Sequence, residues 1–329
     1  MQFEGFAGNA ALKTALSAAF SRRRLPHTLL LQGEAGLGKR TLAQILARAA
    51  VCTCEDRDLA PCGVCPACIR AKAGSHPDIR IVTGSGKSNT ISVASVDEVI
   101  RDAYKKPEEA DINVYCIFAE NPMPEITQNK LLKVIEEPPT GALFIFTVLS
   151  ADALLPTIRS RAQVFTVPPP EESEAAVYVQ NKTGMPMEEA EKLASLHRGN
   201  IGRMLSDGEN GRAAKAEQMA EDIANALVSG TEHDLLAATA PLIKDKPLFP
   251  ESMERLQLLL RDACLLKNNV NVQVPAREVC DKLRRKLSLK ALMALCEMTA
   301  KYTEYWRRNA NMALLVTALC AEMKETAGK

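Results

Sequence analysis

A glycine-rich turn set between an apolar run and an amphipathic stretch constrains this chain more than any other feature. "LLLQGEAGLGKRT" (Leu29 to Thr41) carries G-x-x-x-x-G-K from Gly33 to Lys39. "HTLLLQ" before it reads as a strand, and "TLAQILARAAVC" after it has apolar residues at helical spacing. A strand, such a turn and a helix make a phosphate-binding loop. Gly33, Gly36 and Gly38 let backbone N–H groups close around phosphates, and Lys39 reaches their oxygens. The next residue should offer the hydroxyl that helps hold Mg²⁺. It is Arg40, which has only donors and cannot ligate a cation. Thr41 comes one position late, turned by about 100° around the helix. Binding of nucleotide through Gly33, Gly36, Gly38, Lys39 and Thr41 therefore stays open, while Mg²⁺-dependent hydrolysis is disfavoured.

The alternation continues beyond the loop. "DIRIVTG", "NVYCIFA", "ALFIFTVL" and "AQVFTV" read as strands, with "VDEVIRDAYKK" and "TQNKLLKVIEE" as helices between them. Strands alternating with helices predict a parallel sheet covered on both faces. Pro168 to Pro170 end this region, since three prolines suit neither a helix interior nor a central strand. "SEAAVYVQNKTG", "MEEAEKLASLHRGN" and "GRMLSD" read as a small helical unit, and "SDGENG" (Ser206 to Gly211) as a second boundary. Helices follow to the end. In "SLKALMALCEMTAKY", Leu289, Leu292, Cys296 and Thr299 share one face and Ser288 suits the N-cap. The expected layout is an α/β domain over 1–167, a small helical domain over 168–207 and a larger helical domain over 208–329.

Composition excludes some functions. The formal net charge is +1, so bulk charge gives no footprint for nucleic acid, and 4% aromatic residues argue against base stacking as the main device. No apolar run reaches the roughly 20 residues a bilayer span needs. The first twenty residues read as a strand or loop followed by an amphipathic helix, rather than a signal peptide.

Five of the ten cysteines crowd into "VCTCEDRDLAPCGVCPAC". Cys62-x-x-Cys65-x-x-Cys68 with Cys52 or Cys54 upstream supplies four thiolates, the ligand set of a closed, structural Zn²⁺ site. His76, in "GSHPDI", competes as a ligand or packs a turn. The other cysteines lie in apolar segments as reduced core residues, and a cytoplasmic compartment suits both groups. A zinc-dependent nucleic-acid module would want basic and aromatic residues around the cysteines, yet "CEDRDLAPC" is acidic.

The order of phosphate loop, cysteine cluster, "HPD", "VDEVIRDAYKKP", "QNKLLKVIEEPP" and "LLPTIRSRAQ" resembles the bacterial clamp-loader AAA+ subunits of DNA polymerase III, and within them the delta-prime branch. The likeness is dense from about Arg24 to Gln163. It thins through "HRGNIGRML" and "RRNANMALLVTAL". It implies a RecA-like AAA+ domain followed by two all-α domains, a lid and a collar. The collar would join a heteropentamer with gamma/tau motor subunits and a delta subunit, which uses ATP to place a sliding clamp around primer-template DNA.

The departures from that pattern are informative. The family's motor subunits carry Asp-Glu where this chain has Phe118-Ala119. Those acids would orient Mg²⁺ and activate water, and neither replacement does so. Glu120 and Asn121 follow, offset, as expected solvent-facing turn residues. "RSRA" keeps Ser160-Arg161, and the resemblance makes Arg161 a finger delivered in trans to ATP on the adjacent subunit, with Ala162 in place of the family's Cys. Arg159 reads as structural. Arg203 is either a nucleotide-sensing arginine or a solvated helix charge. The pattern favours an accessory subunit without its own turnover; the alternative is an ATP-hydrolysing, gamma/tau-like motor.

Overall fold

The computed structural model describes every residue except 22–25, 86–89, 122, 211, 230, 269, 271–273, 275, 309 and 329. Among the described residues no helix is long and apolar enough to cross a membrane. The chain divides into two compact units, Met1–Leu205 and Ser206–Lys329.

The first unit runs α1 (Ala10–Ser21), β1 (Thr28–Gln32), α2 (Lys39–Val51), α3 (Pro66–Lys72), β2 (Ile79–Thr83), α4 (Val93–Ala103), β3 (Asn113–Phe118), α5 (Glu125–Glu136), β4 (Ala142–Val148), α6 (Pro156–Arg159), β5 (Gln163–Thr166), α7 (Glu172–Thr183), α8 (Met187–Leu196) and α9 (Ile201–Asn210). The five strands form one sheet in the order β2-β3-β4-β1-β5, every neighbouring pair parallel. Parallel strands need crossover helices, which cover both faces, so the central strands are apolar throughout rather than alternating. β3 and β4 are buried at every position. Successive side chains serve opposite cores: Val114, Cys116 and Phe118 pack with Leu29, Leu31 and α2, while Tyr115, Ile117 and Ala119 pack with Leu30, Phe144 and α4 and α5. The loop after β1 starts a helix on a central strand of a 5-1-4-3-2 sheet, which is the RecA-like AAA+ arrangement.

At the start of β2, Asp78 is 4% exposed and its carboxylate accepts from the backbone N–H groups of Glu108 (2.6 Å), Glu109 (2.9 Å) and Ala110 (2.7 Å). Burial works to raise its pKa, but these donors outweigh it and hold the carboxyl below the usual Asp range. A depressed folded pKa gives stability that is present above the unfolded value of about 3.9 and lost as pH falls through the folded one. Asp78→Asn should therefore cost on the order of 2 kcal/mol at neutral pH. Denaturant titrations of both chains should show the gap closing below about pH 4; a gap constant down to pH 2 would refute the charged anchor.

Helices α7, α8 and α9 share a small core of their own around Ala175, Ala176, Val179, Ala190, Ala194 and Met204. The "SDGENG" segment is not a turn: α9 runs through Ser206 to Asn210, while Gly211 lies outside the described residues. Gly208 is tolerated in a helix interior at a cost of about 1 kcal/mol, so the division between the two units, at Leu205 and Ser206, falls within a helix rather than in a loop.

The second unit is helical: α10 (Arg212–Ser229), α11 (Glu232–Thr239), α12 (Pro241–Lys244), α13 (Leu248–Lys267), α14 (Arg277–Lys286), α15 (Leu289–Arg307) and α16 (Met312–Ala327) around one core. Ser288 caps α15, its hydroxyl accepting from the Ala291 N–H at 3.1 Å. The buried stripe of α15 runs through Ala291, Leu292, Leu295, Met298, Thr299 and Tyr302. Leu289 and Cys296 are only half-buried at its edge, because partners on two sides widen the stripe beyond a single row.

Candidate functional site

The phosphate loop has the expected backbone. Gly36 and Gly38 take the left-handed conformation, at φ 88° and 77°, and Gly38 precedes the first residue of α2. What fills the loop is its own protein. Lys39 is 2% exposed and its Nζ donates to the Glu34 carbonyl at 2.6 Å, a bond within the loop itself. Burial lowers the Lys39 pKa from its ordinary value, Glu120 counters part of this and Arg40 adds to it.

Asn200, the residue before α9, closes the loop from the other side. It is 3% exposed, its Nδ2 donates to the Ala35 carbonyl at 2.8 Å, and its Oδ1 accepts from the Arg203 N–H at 3.2 Å. The Gly202 N–H donates to the Gly36 carbonyl at 2.9 Å. A Cβ on Gly36 would run into the Asn200 amide, and one on Gly202 into Gly36 itself, so both glycines are needed for this approach. The cavity left between loop and α9, with Thr41 in its wall, is about 120 Å³. Ligand pockets are typically about 300–1,000 Å³. Arg203 faces the same loop, its Nη2 3.8 Å from the Glu34 carboxylate.

A guanidinium packs at the end of β3, beside the loop. Arg40 lies over the Phe118 ring, Cζ 5.3 Å from the centroid, and its Nη2 is 2.9 Å from Glu120. Glu120 also sits 4.0 Å from Lys39 Nζ. The expectation of a solvent-facing Glu120 is thus corrected: its side chain is 26% exposed and held between two cations, while Asn121 is exposed. The flat face of Phe118 receives the Arg40 guanidinium as a cation–π partner. Phe118, Arg40 and Glu120 form one cluster, with a fixed positive charge beside the loop lysine.

Arg161 lies elsewhere, between α6 and β5. Its Nη2 is 3.2 Å from Glu136, its Nη1 donates to the Thr157 carbonyl at 3.1 Å, and its side chain is 42% exposed. Among the described residues no hydrogen bond or ion pair joins it to the phosphate loop of its own chain. Arg159 is paired with Asp152.

The cysteine cluster assembles from the C-cap of α2 and the turn leading into α3. The Sγ atoms of Cys52, Cys62, Cys65 and Cys68 all lie within 4.8 Å of one another, with Cys52 and Cys65 at 4.0 Å. A tetrahedral Zn²⁺ with Zn–S of about 2.3 Å needs sulfurs about 3.8 Å apart, so this donor set fits a metal ion. The Cys65 and Cys68 N–H groups each donate to the preceding Sγ of the motif at 3.4 Å. Burial works to raise the Cys65 pKa, but backbone donors from Cys68 and Thr53 bring it down to about 6. Burial pushes the Cys52 and Cys68 thiols up. Cys54 stands outside the four. His76 does too: its Nδ1 accepts from the Asp78 N–H at 3.2 Å, packing the turn.

Asn200 and Gly202 escaped the sequence reading, and Glu120 was read there only as a solvent-facing turn residue. The Asn200 contact joins residues 165 apart, and no local pattern reports it.

A family model for the DNA polymerase III delta subunit matches residues 8–171. The delta′ subunit of Escherichia coli DNA polymerase III is 28% identical over 286 residues, 85% of this chain and 83% of that one. The gamma/tau subunit of Mycobacterium bovis is 32% identical over 162 residues, which are 48% of this chain but 27% of that longer protein. Among solved structures, a gamma subunit-related protein of Thermotoga maritima is 14% identical and covers 96% of this chain and 99% of that one, at a TM-score of 0.46. The chain belongs to the clamp-loader family of DNA polymerase III subunits, and within that family it is similar to delta′.

Proposed function

We propose that this chain is a non-hydrolysing delta′ subunit, which helps a cytoplasmic clamp loader place a sliding clamp on primer-template DNA. The observation that carries this reading is the occupied loop: Lys39 bonded to Glu34, Asn200 and Gly202 against Gly36, and Arg40 bridged to Glu120. ATP would have to break these bonds, displace α9 from the loop and bring Mg²⁺ next to a guanidinium. Each of these opposes binding, and the last opposes turnover even if nucleotide entered.

The half-site that survives is Arg161. Its exposure and its weak anchoring to Glu136 leave the guanidinium available to a neighbouring gamma/tau subunit in a pentamer that also holds delta. The three domains of this reading are the sheet domain 1–167, a lid over 168–207 and a collar over 208–329. The metal in the cysteine cluster is Zn²⁺, bound by Cys52, Cys62, Cys65 and Cys68, and structural because four thiolates leave no open coordination position.

The test is ATP hydrolysis with Mg²⁺ by the purified chain, alone and mixed with its motor and delta subunits. No turnover alone, with clamp- and DNA-stimulated turnover in the mixture, is the expected result. Steady turnover by the chain alone, abolished by Lys39→Ala, would make it a gamma/tau-like motor instead.

A further inference from the structure

A second cavity touches the phosphate-loop region only at Thr41 and includes none of the clustered cysteines in its lining. About 440 Å³ in volume, it lies between α2, α3 and the edge strand β2. Its walls include Gln44 and Arg48 of α2, Lys72 of α3, His76, and Ile79 and Ile81 of β2.

Three features give it a chemical preference. The first is His76, 4% exposed, whose Nε2 has no hydrogen-bond partner among the described residues. Because Nδ1 accepts from the Asp78 N–H, the neutral ring carries its proton on Nε2, so the orphan is a donor seeking an acceptor. The second is Arg48, half-buried, with no hydrogen bond or ion pair among the described residues. It sits in the last turn of α2, where a cation suits the helix dipole, but that explains its sign and not its lack of a counter-charge. Lys72 adds a second cation, tied only to Glu4 at 3.6 Å across an exposed pair. No carboxylate is among the lining residues. A water molecule would satisfy His76 but would leave Arg48 uncompensated.

The third feature is the strand. Among the described residues β2 pairs with β3 alone. The Val114 N–H donates to the Asp78 carbonyl, which sets the phase: Arg80 and Val82 turn their backbone groups toward β3, while Ile81 and Thr83 turn theirs to the open edge. Ile81 is 43% exposed, an apolar side chain on an unprotected edge. Edges of this kind accept an added strand, with main-chain bonds giving affinity and side pockets giving specificity.

We propose that this cavity and the β2 edge together bind an extended acidic segment of a partner polypeptide, one of whose carboxylates enters between Arg48, Lys72 and His76. The backbone of the segment lies along Ile81 and Thr83, and its apolar side chains meet Ile79 and Ile81. A phosphate would satisfy the cations, but it has no use for the apolar wall or the open strand edge.

The test uses the full chain with isotope-labelled histidine. Four histidines give few resonances, and His76→Gln assigns the one that matters. The probe is a capped heptapeptide alternating Val and Thr with Glu at its centre, and the control has Gln there. The expected result is a saturable shift of the His76 resonance with the Glu peptide. Binding should be at least about tenfold weaker for the Gln peptide and for Arg48→Ala, as losing one charged hydrogen bond implies. Lys72→Ala, at an exposed residue, should weaken binding with the remaining spectrum unchanged. Equal responses to the two peptides, or none at millimolar concentration, would overturn the proposal. So would oligothymidylate displacing the peptide and shifting His76 in an Arg48-dependent way, since the site would then belong to a nucleic-acid phosphate.

Discussion

Replacing Arg161 with Ala should leave the chain folded and assembled while removing most ATP turnover at one site of the complex, the site on the adjacent motor subunit. The fold is expected to survive because the side chain is 42% exposed and its pair with Glu136 is of the surface kind, worth about 0–1 kcal/mol. The catalytic loss is expected to be large because a trans arginine stabilises charge on the transferring phosphoryl group, an effect worth roughly 10³–10⁵ in rate. The bulk rate hides part of this. If the motor sites fire independently, only the share of one site disappears; if they fire in order, the whole cycle stalls. Single-turnover measurements on the mixed complex separate the two cases. Arg161→Lys is the sharper control: it keeps the charge but loses the planar fork, and should recover little. Unchanged single-turnover kinetics in a complex that contains the Ala variant would remove the finger assignment. Loss of assembly would instead make Arg161 an interface residue.

Much of this architecture was legible because parallel sheets announce themselves. "NVYCIFA" and "ALFIFTVL" are apolar at nearly every position, as strands covered on both faces must be. The helices between them carry a helical period. The phosphate-loop spacing was readable, and so were Arg40 and Phe118-Ala119 as departures from the motor pattern. What was not readable is how the protein packs around the loop. The approach of Asn200 to Ala35 depends on two glycines, Gly36 and Gly202, meeting across the fold. Either glycine alone looks like ordinary loop or helix composition. Glu120 was misjudged for a related reason. Counted along the chain, it follows a strand end and should face water, but Arg40 and Lys39 arrive from α2 and enclose it. The choice between Cys52 and Cys54 was open in sequence because both precede the C-x-x-C repeat at workable distances. In the structure the end of α2 points Cys52 into the core at 2% exposure, where its Sγ joins those of Cys62, Cys65 and Cys68, while Cys54 stands outside that group. "SDGENG" lies where the two compact units divide, at Leu205 and Ser206, but composition gave no sign that a helix, α9, runs through that point.

Stripping the metal from the cysteine cluster should lower the thermal midpoint of the first unit by on the order of 10 °C. The segment from Thr53 to Lys72 has little apolar burial with which to offset its ordering. Ala60 and Ala67 are buried, but Leu59, Val64 and Ile69 are 46%, 79% and 57% exposed. Four sulfurs within 4.8 Å of one another gain nothing from proximity as free thiols, and as thiolates they repel. A bound cation reverses that sign. A ligand present at about 1,000 times its dissociation constant stabilises the folded state by about 4.1 kcal/mol. For a unit of 150–250 residues each kcal/mol moves the midpoint by about 2–4 °C, which gives the stated size. Elemental analysis should find about one zinc per chain, and Cys65→Ser should both lose it and reproduce the lower midpoint without chelator. Cys54→Ser, outside the four, should do neither. Because the N–H groups of Cys65 and Cys68 already point at sulfur, hydrogen exchange at these two amides should quicken more than exchange in β3 when the metal is removed. A chain that holds no metal under reducing conditions, or whose midpoint ignores chelation, would leave the four cysteines as a cluster of free thiols. The ordering of α3 would then need another cause.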